Sequence, residues 1–235
     1  MDKKTIFTKK IAQYITNEMQ ICIDDLTKKI LNDVPDSADF FNRLFEYMIS
    51  LKVPYEYENT VMSYNNDENH SHINKMLYNF LEDNDLTEDS DEHFIFDNIR
   101  HAFINFKKGG ILNMYQYREA EVWYPKVIIN SFLGDKEDIN TLNFPVQIYR
   151  GTSLDEFNSK NFGQSWSISK KIAEEFAFIH YRSQPDYQDS MRVILSTTVD
   201  KKDIFYYVEN GREEEVIIDS KKLEDVHIID QKLMF

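Results

Sequence analysis

Apolar residues fall at helical spacing through the first part of the chain. Ile11, Ile15, Met19, Ile23, Leu26 and Ile30 form one stripe, which predicts a helix over residues 5–31. Asp36-Ser37-Ala38-Asp39 opens a second helix carrying Phe40, Phe41, Leu44, Phe45 and Met48, and Lys52-Val53-Pro54 ends it. A short helix is expected from Ile73 to Leu81, between loops at Asn65–Asn69 and Glu82–Glu92. Phe94, Ile95, Ile99, Phe103 and Phe106 mark a helix over 93–108. It closes on basic residues and the pair Gly109-Gly110, as a helix C-terminus prefers. The aromatic band Tyr115, Tyr117, Trp123, Tyr124 predicts one more helix, Met114 to Leu133, broken near Pro125.

From residue 144 the period changes to two. Pro145–Arg150 alternates and stops at Gly151. Met191–Val199 is a long strand with Val193, Leu195, Thr197 and Val199 on one face. Ile204–Val208, Glu213–Asp219 and Val226–Ile229 follow, and one clear helix, Lys170–Ile179, interrupts the series. Strands without regular crossover helices predict an α+β protein with a largely antiparallel or mixed sheet. The composition shifts near residue 110, dividing an acidic helical region (1–110) from a strand-rich domain (111–235).

Charge and composition narrow the function classes. The chain has 235 residues, 42% hydrophobic and 14% aromatic, which is ample material for a packed core. Its formal net charge of -14 argues against a general phosphate-binding surface, though not against a small basic groove. Residues 56–97 hold Glu56, Glu58, Asp67, Glu68, Glu82, Asp83, Asp85, Glu88, Asp89, Asp91, Glu92 and Asp97 against a single Lys75. This is either a solvated surface with mobile loops or an acidic mask or partner-binding face. His70-Ser71-His72 has no cysteine or third histidine close by, so no metal site is expected. The single cysteine, Cys22, lies in an apolar run and is expected as a small buried hydrophobe. No window has the length and apolarity of a membrane span, and no apolar run follows the four lysines of Met1–Lys10. A soluble, cytoplasmic protein without membrane contact is expected.

Candidate chemistry sits late in the chain. Asn210-Gly211 precedes Glu213-Glu214-Glu215 and the apolar run Val216-Ile217-Ile218. Alternation puts Glu213 and Glu215 on one face of that strand, where two carboxylates repel unless a cation lies between them. Upstream stand Tyr149-Arg150-Gly151, then Ser165-Trp166-Ser167 followed by a helix with Ala173-x-x-Phe176-Ala177, for which Ser169 is placed as N-cap. These three pieces, in this order across residues 146–219, resemble the arginine–serine–glutamate class of mono-ADP-ribosyltransferases, which includes bacterial toxins and phage-encoded enzymes. Trp166 departs from the threonine common there. Its side chain is expected to point away from the cleft.

The resemblance implies N-terminal helices packed on a mixed, mostly antiparallel two-sheet core. It implies NAD as co-substrate, no metal, and transfer of ADP-ribose to an acceptor macromolecule, with protein arginine favoured by Glu213. A nucleic-acid base is the alternative acceptor, and an inactive relative acting as a protein-binding module through the acidic helical region 1–110 is the third reading; in a regulated toxin that region would be the face an antidote or regulatory protein binds. Glu215 would stabilise the oxocarbenium-like transition state, Glu213 would take the acceptor's proton, and Ser165 would orient Glu215. Arg150 would pair with the NAD phosphates and hold the cleft's carboxylates and serine. Gly151 would let backbone approach the nicotinamide amide. Tyr181, Arg182 and Tyr187, in the 180–190 loop, would contact the nucleotide. Ser167, Phe176 and Phe178 are expected to pack.

Overall fold

The computed structural model describes residues 6–51, 67–118, 122–133, 137–180, 187, 189–209 and 211–234, without the side chains of 67–71 and 137. The acidic residues at 56–66 and the side chains of His70 and Ser71 lie outside this description, as do Tyr181 and Arg182. The chain forms two compact units, Met1–Ile128 and Ile129–Phe235.

The first unit is helical. Helix α1 (Lys9–Gln13) runs into a wider π-type turn at Tyr14–Glu18, and α2 spans Ile23–Asp33. The helix expected over 5–31 is therefore broken. Gln20 adopts a left-handed φ of 52°, and Ile21 pairs across a bridge with Val127. The apolar stripe survives the break because Ile15, Met19, Leu26 and Ile30 are all fully buried on its two sides. Cys22 is half-buried at the N-cap of α2, its N–H donating to the Lys126 carbonyl. Helix α3 (Ala38–Ser50) buries Phe40, Phe41, Leu44, Phe45 and Met48, the stripe its spacing predicts.

Helix α4 (Asp67–Glu82) starts earlier than expected, and α5 runs from Asp91 to Gln116 with a kink at Gly109-Gly110. Among the described residues no separate helix covers Met114–Leu133. Met114 and Tyr115 close α5, and the described residues 122–133 are irregular and non-helical. Arg100 on α5 is buried, hydrogen-bonded to Asp97 and to Asn74 of α4, with its guanidinium 4.9 Å from the Tyr78 ring. Among the described residues no helix is long and apolar enough to cross a membrane.

The second unit is α+β. A short helix α6 (Glu137–Asn140) precedes β1 (Val146–Ser153), α7 (Leu154–Ser159), β2 (Ser165–Ser167), α8 (Lys170–Phe178), β3 (Met191–Val199), β4 (Ile204–Tyr207), β5 (Glu215–Ile218) and β6 (His227–Leu233). The strands form one six-stranded sheet in the order β4-β5-β2-β1-β3-β6, and every pairing is antiparallel. This corrects the mixed, two-sheet core expected from the resemblance: one sheet is present in the described residues and it has no parallel pair.

Strand alternation sorts the two faces. Ile148, Trp166, Val193, Leu195, Val199, Val216 and Ile218 build a core on one face. Ile194, with Tyr149 beside it, packs against Ala173 and Ala177 of α8 on the other. Strand β1 does not stop at Gly151; it continues to Ser153, pairing Gly151 with Ile194 of β3. At Gly151 α8 lies in backbone contact with the sheet. A Cβ there would stand 2.1 Å from the Ala173 carbonyl oxygen and 2.4 Å from the Ala177 nitrogen. Both are backbone atoms, so relief requires moving the helix.

Gly151→Ala therefore lifts α8 from β1. The expected loss is about 1–3 kcal/mol or more, the range for overpacking a tight interior. It is read as a lowered denaturant midpoint for the second unit, and an unchanged midpoint contradicts this packing.

Candidate active site

Strand β2 has only three residues and lies between β5 and β1. Its register sets Ser167 opposite Tyr149 on one side and opposite Glu215 on the other, with Trp166 opposite Val216. Trp166 is buried in the core, its indole N–H donating to the Gly163 carbonyl at 2.9 Å. Alternation therefore sends Ser165, Ser167 and Glu215 to the face that carries α8. There the Ser165 hydroxyl donates to a Glu215 carboxylate oxygen. The two are diagonal neighbours across the β2–β5 pair, within reach of a long side chain. Both are half-buried.

Strand β5 begins at Glu215, and Glu213 and Glu214 lie on the turn before it. Glu214 has a left-handed φ of 47°, and its N–H donates to the Gly211 carbonyl at 3.0 Å. Strand alternation does not extend back through such a turn. Glu213 and Glu215 do not share a strand face, and Glu213 is exposed. The Ser167 hydroxyl ties this turn to β2: it donates to the Glu213 carbonyl at 2.9 Å and accepts from the Ser169 N–H at 3.0 Å. Ser169 occupies the N-cap position of α8 without a side-chain capping bond.

Arg150 stands two residues beyond Ile148 on β1, so its Cα–Cβ bond points to the core face, opposite Ser165 and Glu215. Its carboxylate partner is Glu156 on α7. Arg150 Nε and Nη2 donate to the two Glu156 oxygens at 2.7 and 3.1 Å, a bidentate pair. Nη1 donates to the main-chain carbonyl of Ser165 at 2.6 Å. Arg150 thus holds the serine by its backbone. Gly163 makes room for the guanidinium, since a Cβ there would lie 2.5 Å from Nη2.

Glu156 was not among the residues the sequence singled out. The signal was present: Ser153-x-x-Glu156 matches a capping box, and the Ser153 hydroxyl accepts from the Glu156 N–H at 3.2 Å. The Glu156 carboxylate, however, is taken by Arg150, by the Thr152 hydroxyl and by the Gly163 N–H at 2.9 Å. Burial raises its pKa, but the Arg150 charge and these hydrogen bonds outweigh burial and hold it below the ordinary glutamate value.

Gln164 was also missed. Its side-chain amide accepts from the Ile129 N–H at 2.9 Å and donates to the Ile129 carbonyl at 2.6 Å, imitating a strand neighbour. Of the proposed nucleotide contacts, Tyr187 is buried, and its hydroxyl donates to the Ala177 carbonyl. The Arg192 guanidinium lies 4.9 Å from the Tyr187 ring, and its Nε donates to the same carbonyl at 3.3 Å. Burial lowers the Arg192 pKa, opposed by Tyr187 and Glu156. Gly151 faces α8 with the side that would carry a side chain, so helix packing supplies its reason. Among the described residues no group of three His, Cys, Asp or Glu side chains is placed to hold a metal ion.

No protein-family model matches this chain, and no curated protein or solved structure matches it.

The lowered Glu156 pKa sets an acid limit on the second unit. Its contribution is fully present above the ordinary glutamate value of 4.5. It is lost as pH falls from there through the lower folded value. Glu156→Gln removes the carboxylate charge that the Arg150 fork holds, destabilising the unit near neutral pH by about 1–3 kcal/mol, the range for taking away one partner of a charged hydrogen bond. It also flattens the acid part of the stability–pH curve. Denaturant titrations at a series of pH values check both, and an unchanged acid slope contradicts the pairing.

Proposed function

We propose that the chain is an NAD-dependent mono-ADP-ribosyltransferase that modifies protein arginine. The observation carrying this reading is the Ser165–Glu215 hydrogen bond, a carboxylate oriented by a hydroxyl on the sheet face beside α8. With it, the separated pieces Arg150, Ser165 and Glu215 form one connected set, Arg150 to the Ser165 carbonyl and Ser165 to Glu215.

In the reaction the bond between ribose C1 and the nicotinamide nitrogen breaks, and its electron pair leaves with neutral nicotinamide. Positive charge develops on the ribose. Glu215, half-buried and fixed through Ser165, stabilises that charge and accepts a ribose hydroxyl hydrogen bond. The acceptor guanidine nitrogen then bonds to C1 and gives up a proton. Glu213 stands exposed on the turn before β5, where an incoming macromolecule reaches it, and takes that proton. Arg150 is a positioning residue in this reading: bound to Glu156, it fixes the Ser165 main chain.

Glu215→Gln is expected to lower transfer from labelled NAD by about 10²–10³-fold, the scale for removing one fixed stabilising group from a transition state. Glu213→Gln spares NAD hydrolysis and loses arginine modification. Purified protein is incubated with labelled NAD and a whole-cell lysate, and protein label and free nicotinamide are counted separately. Label that resists protease and disappears with nuclease moves the acceptor to a nucleic-acid base. Neither label nor nicotinamide, with the fold intact, removes the enzymatic reading.

A further inference from the structure

Strand β6 is an edge strand, paired to β3 on one side. Unlike the inner strands it is exposed almost throughout, with Ile229 at 38% and Leu233 at 40% of full exposure. The direction of its backbone groups follows from its end. The Met234 N–H donates to the Ser190 carbonyl and the Met234 carbonyl accepts from the Asp189 N–H, so Met234 points its polar groups inward. Alternation turns those of Leu233 and Gln231 outward, away from β3. The Gln231 N–H agrees: it donates to the carboxylate of its own neighbour, Asp230, at 2.8 Å.

An outward row of strand donors and acceptors is a template for another strand, and the sequence of β6 specifies which. Consider two copies pairing antiparallel about a two-fold axis through Gln231. Gln231 then faces Gln231 of the second copy as a hydrogen-bonded pair, exchanging both main-chain bonds. Asp230 falls directly opposite Lys232 and Lys232 opposite Asp230. Ile229 is skipped in the pairing with β3, which passes from Asp230 (opposite Ile194) to Ile228 (opposite Leu195) through a bulge, so the regular row is Asp230–Leu233. Registers centred on Asp230 or Lys232 set like charges directly opposite, which is unfavourable. A register centred on Ile229 falls on the bulge, and one centred on Leu233 sets Lys232 against Met234. The strand is self-complementary in one register alone, the one its outward Gln231 N–H also selects.

We propose that β6 is a homodimer edge, joining the sheets of two copies into one antiparallel sheet of twelve strands. The contact is isologous, so it closes at two copies and does not propagate. In the separate chain Asp230 caps the Gln231 N–H. On pairing that N–H bonds the partner's main chain, and Asp230 turns to the partner's Lys232. The proposal is independent of the catalytic reading, since no residue of β6 belongs to that site.

The test is sedimentation of the full chain over a dilution series. The expected result is twice the chain mass at high concentration, dissociating on dilution. Asp230→Lys and Lys232→Asp each set like charges opposite and shift the dissociation to higher concentration, about tenfold for the two cross-strand pairs lost. The double variant Asp230→Lys/Lys232→Asp restores opposite charges and the original mass distribution, and also shows that the single variants' loss is not misfolding. Gln231→Pro removes an outward N–H that β3 does not use, so it abolishes the dimer with the sheet intact by circular dichroism. A single species of monomer mass at every concentration overturns the proposal. So does a dimer that the single charge reversals and Gln231→Pro leave unchanged.

Discussion

Much of the second unit depends on one ion pair. Arg150 and Glu156 are both mostly withdrawn from water, with side-chain exposures of 22% and 18%. Desolvating two charges costs several kcal/mol per ion, and attraction repays this when the geometry is bidentate and the remaining polar sites are filled. That condition holds here. Thr152 and the Gly163 N–H complete the carboxylate, and the Ser165 carbonyl takes a guanidinium donor. The pair closes the corner from β1 through α7 to β2, and it needs a residue without a side chain at 163. Replacing Arg150 by lysine would keep the charge and lose the fork that reaches Glu156 twice and Ser165 once.

This gives the five residues 163–167 an unusual density of constraint. Gly163 accommodates the guanidinium, Gln164 pairs with Ile129, and Ser165 holds Glu215. Trp166 fills the core and Ser167 holds the turn of Glu213. A three-residue strand has few ladder bonds of its own, so side-chain bonds and the flanking strands supply its rigidity. A hydroxyl meant to orient a carboxylate needs a main chain that does not shift, and that is what Arg150 provides from the opposite face.

Elements with a strong period were legible in the sequence. The stripe of α3 is buried, and β3 occupies Met191–Val199 as its alternation indicates. Periodicity misled where a left-handed residue interrupts it. Ile15, Met19 and Ile23 keep helical spacing across Gln20, though the chain turns there. Glu213 and Glu215 keep strand spacing across Glu214, though the strand has not begun. The aromatic band after Met114 imitated a helix that ends at Gln116. Helix α7, at six residues, is too short for a period to register, so Glu156 was visible only through the capping signal of Ser153. The order of Arg150, Ser165 and Glu215 could be read from the chain; that Arg150 reaches Ser165 through its carbonyl could not, because backbone acceptors leave no mark on residue identity.

The two faces of the sheet divide the labour. The core face carries Trp166, Val216 and Ile218 and takes in the Arg150–Glu156 pair at its margin. The α8 face carries Ser165, Glu215 and the turn of Glu213, beside a helix brought within backbone contact of β1 at Gly151. Because β2 is shared by both faces, a disturbance of the ion pair reaches the serine through one peptide unit, without crossing a side chain. Glu156 makes no hydrogen bond to Glu215 that would reveal the connection; the Ser165 carbonyl and hydroxyl, on the same residue, are the link between them.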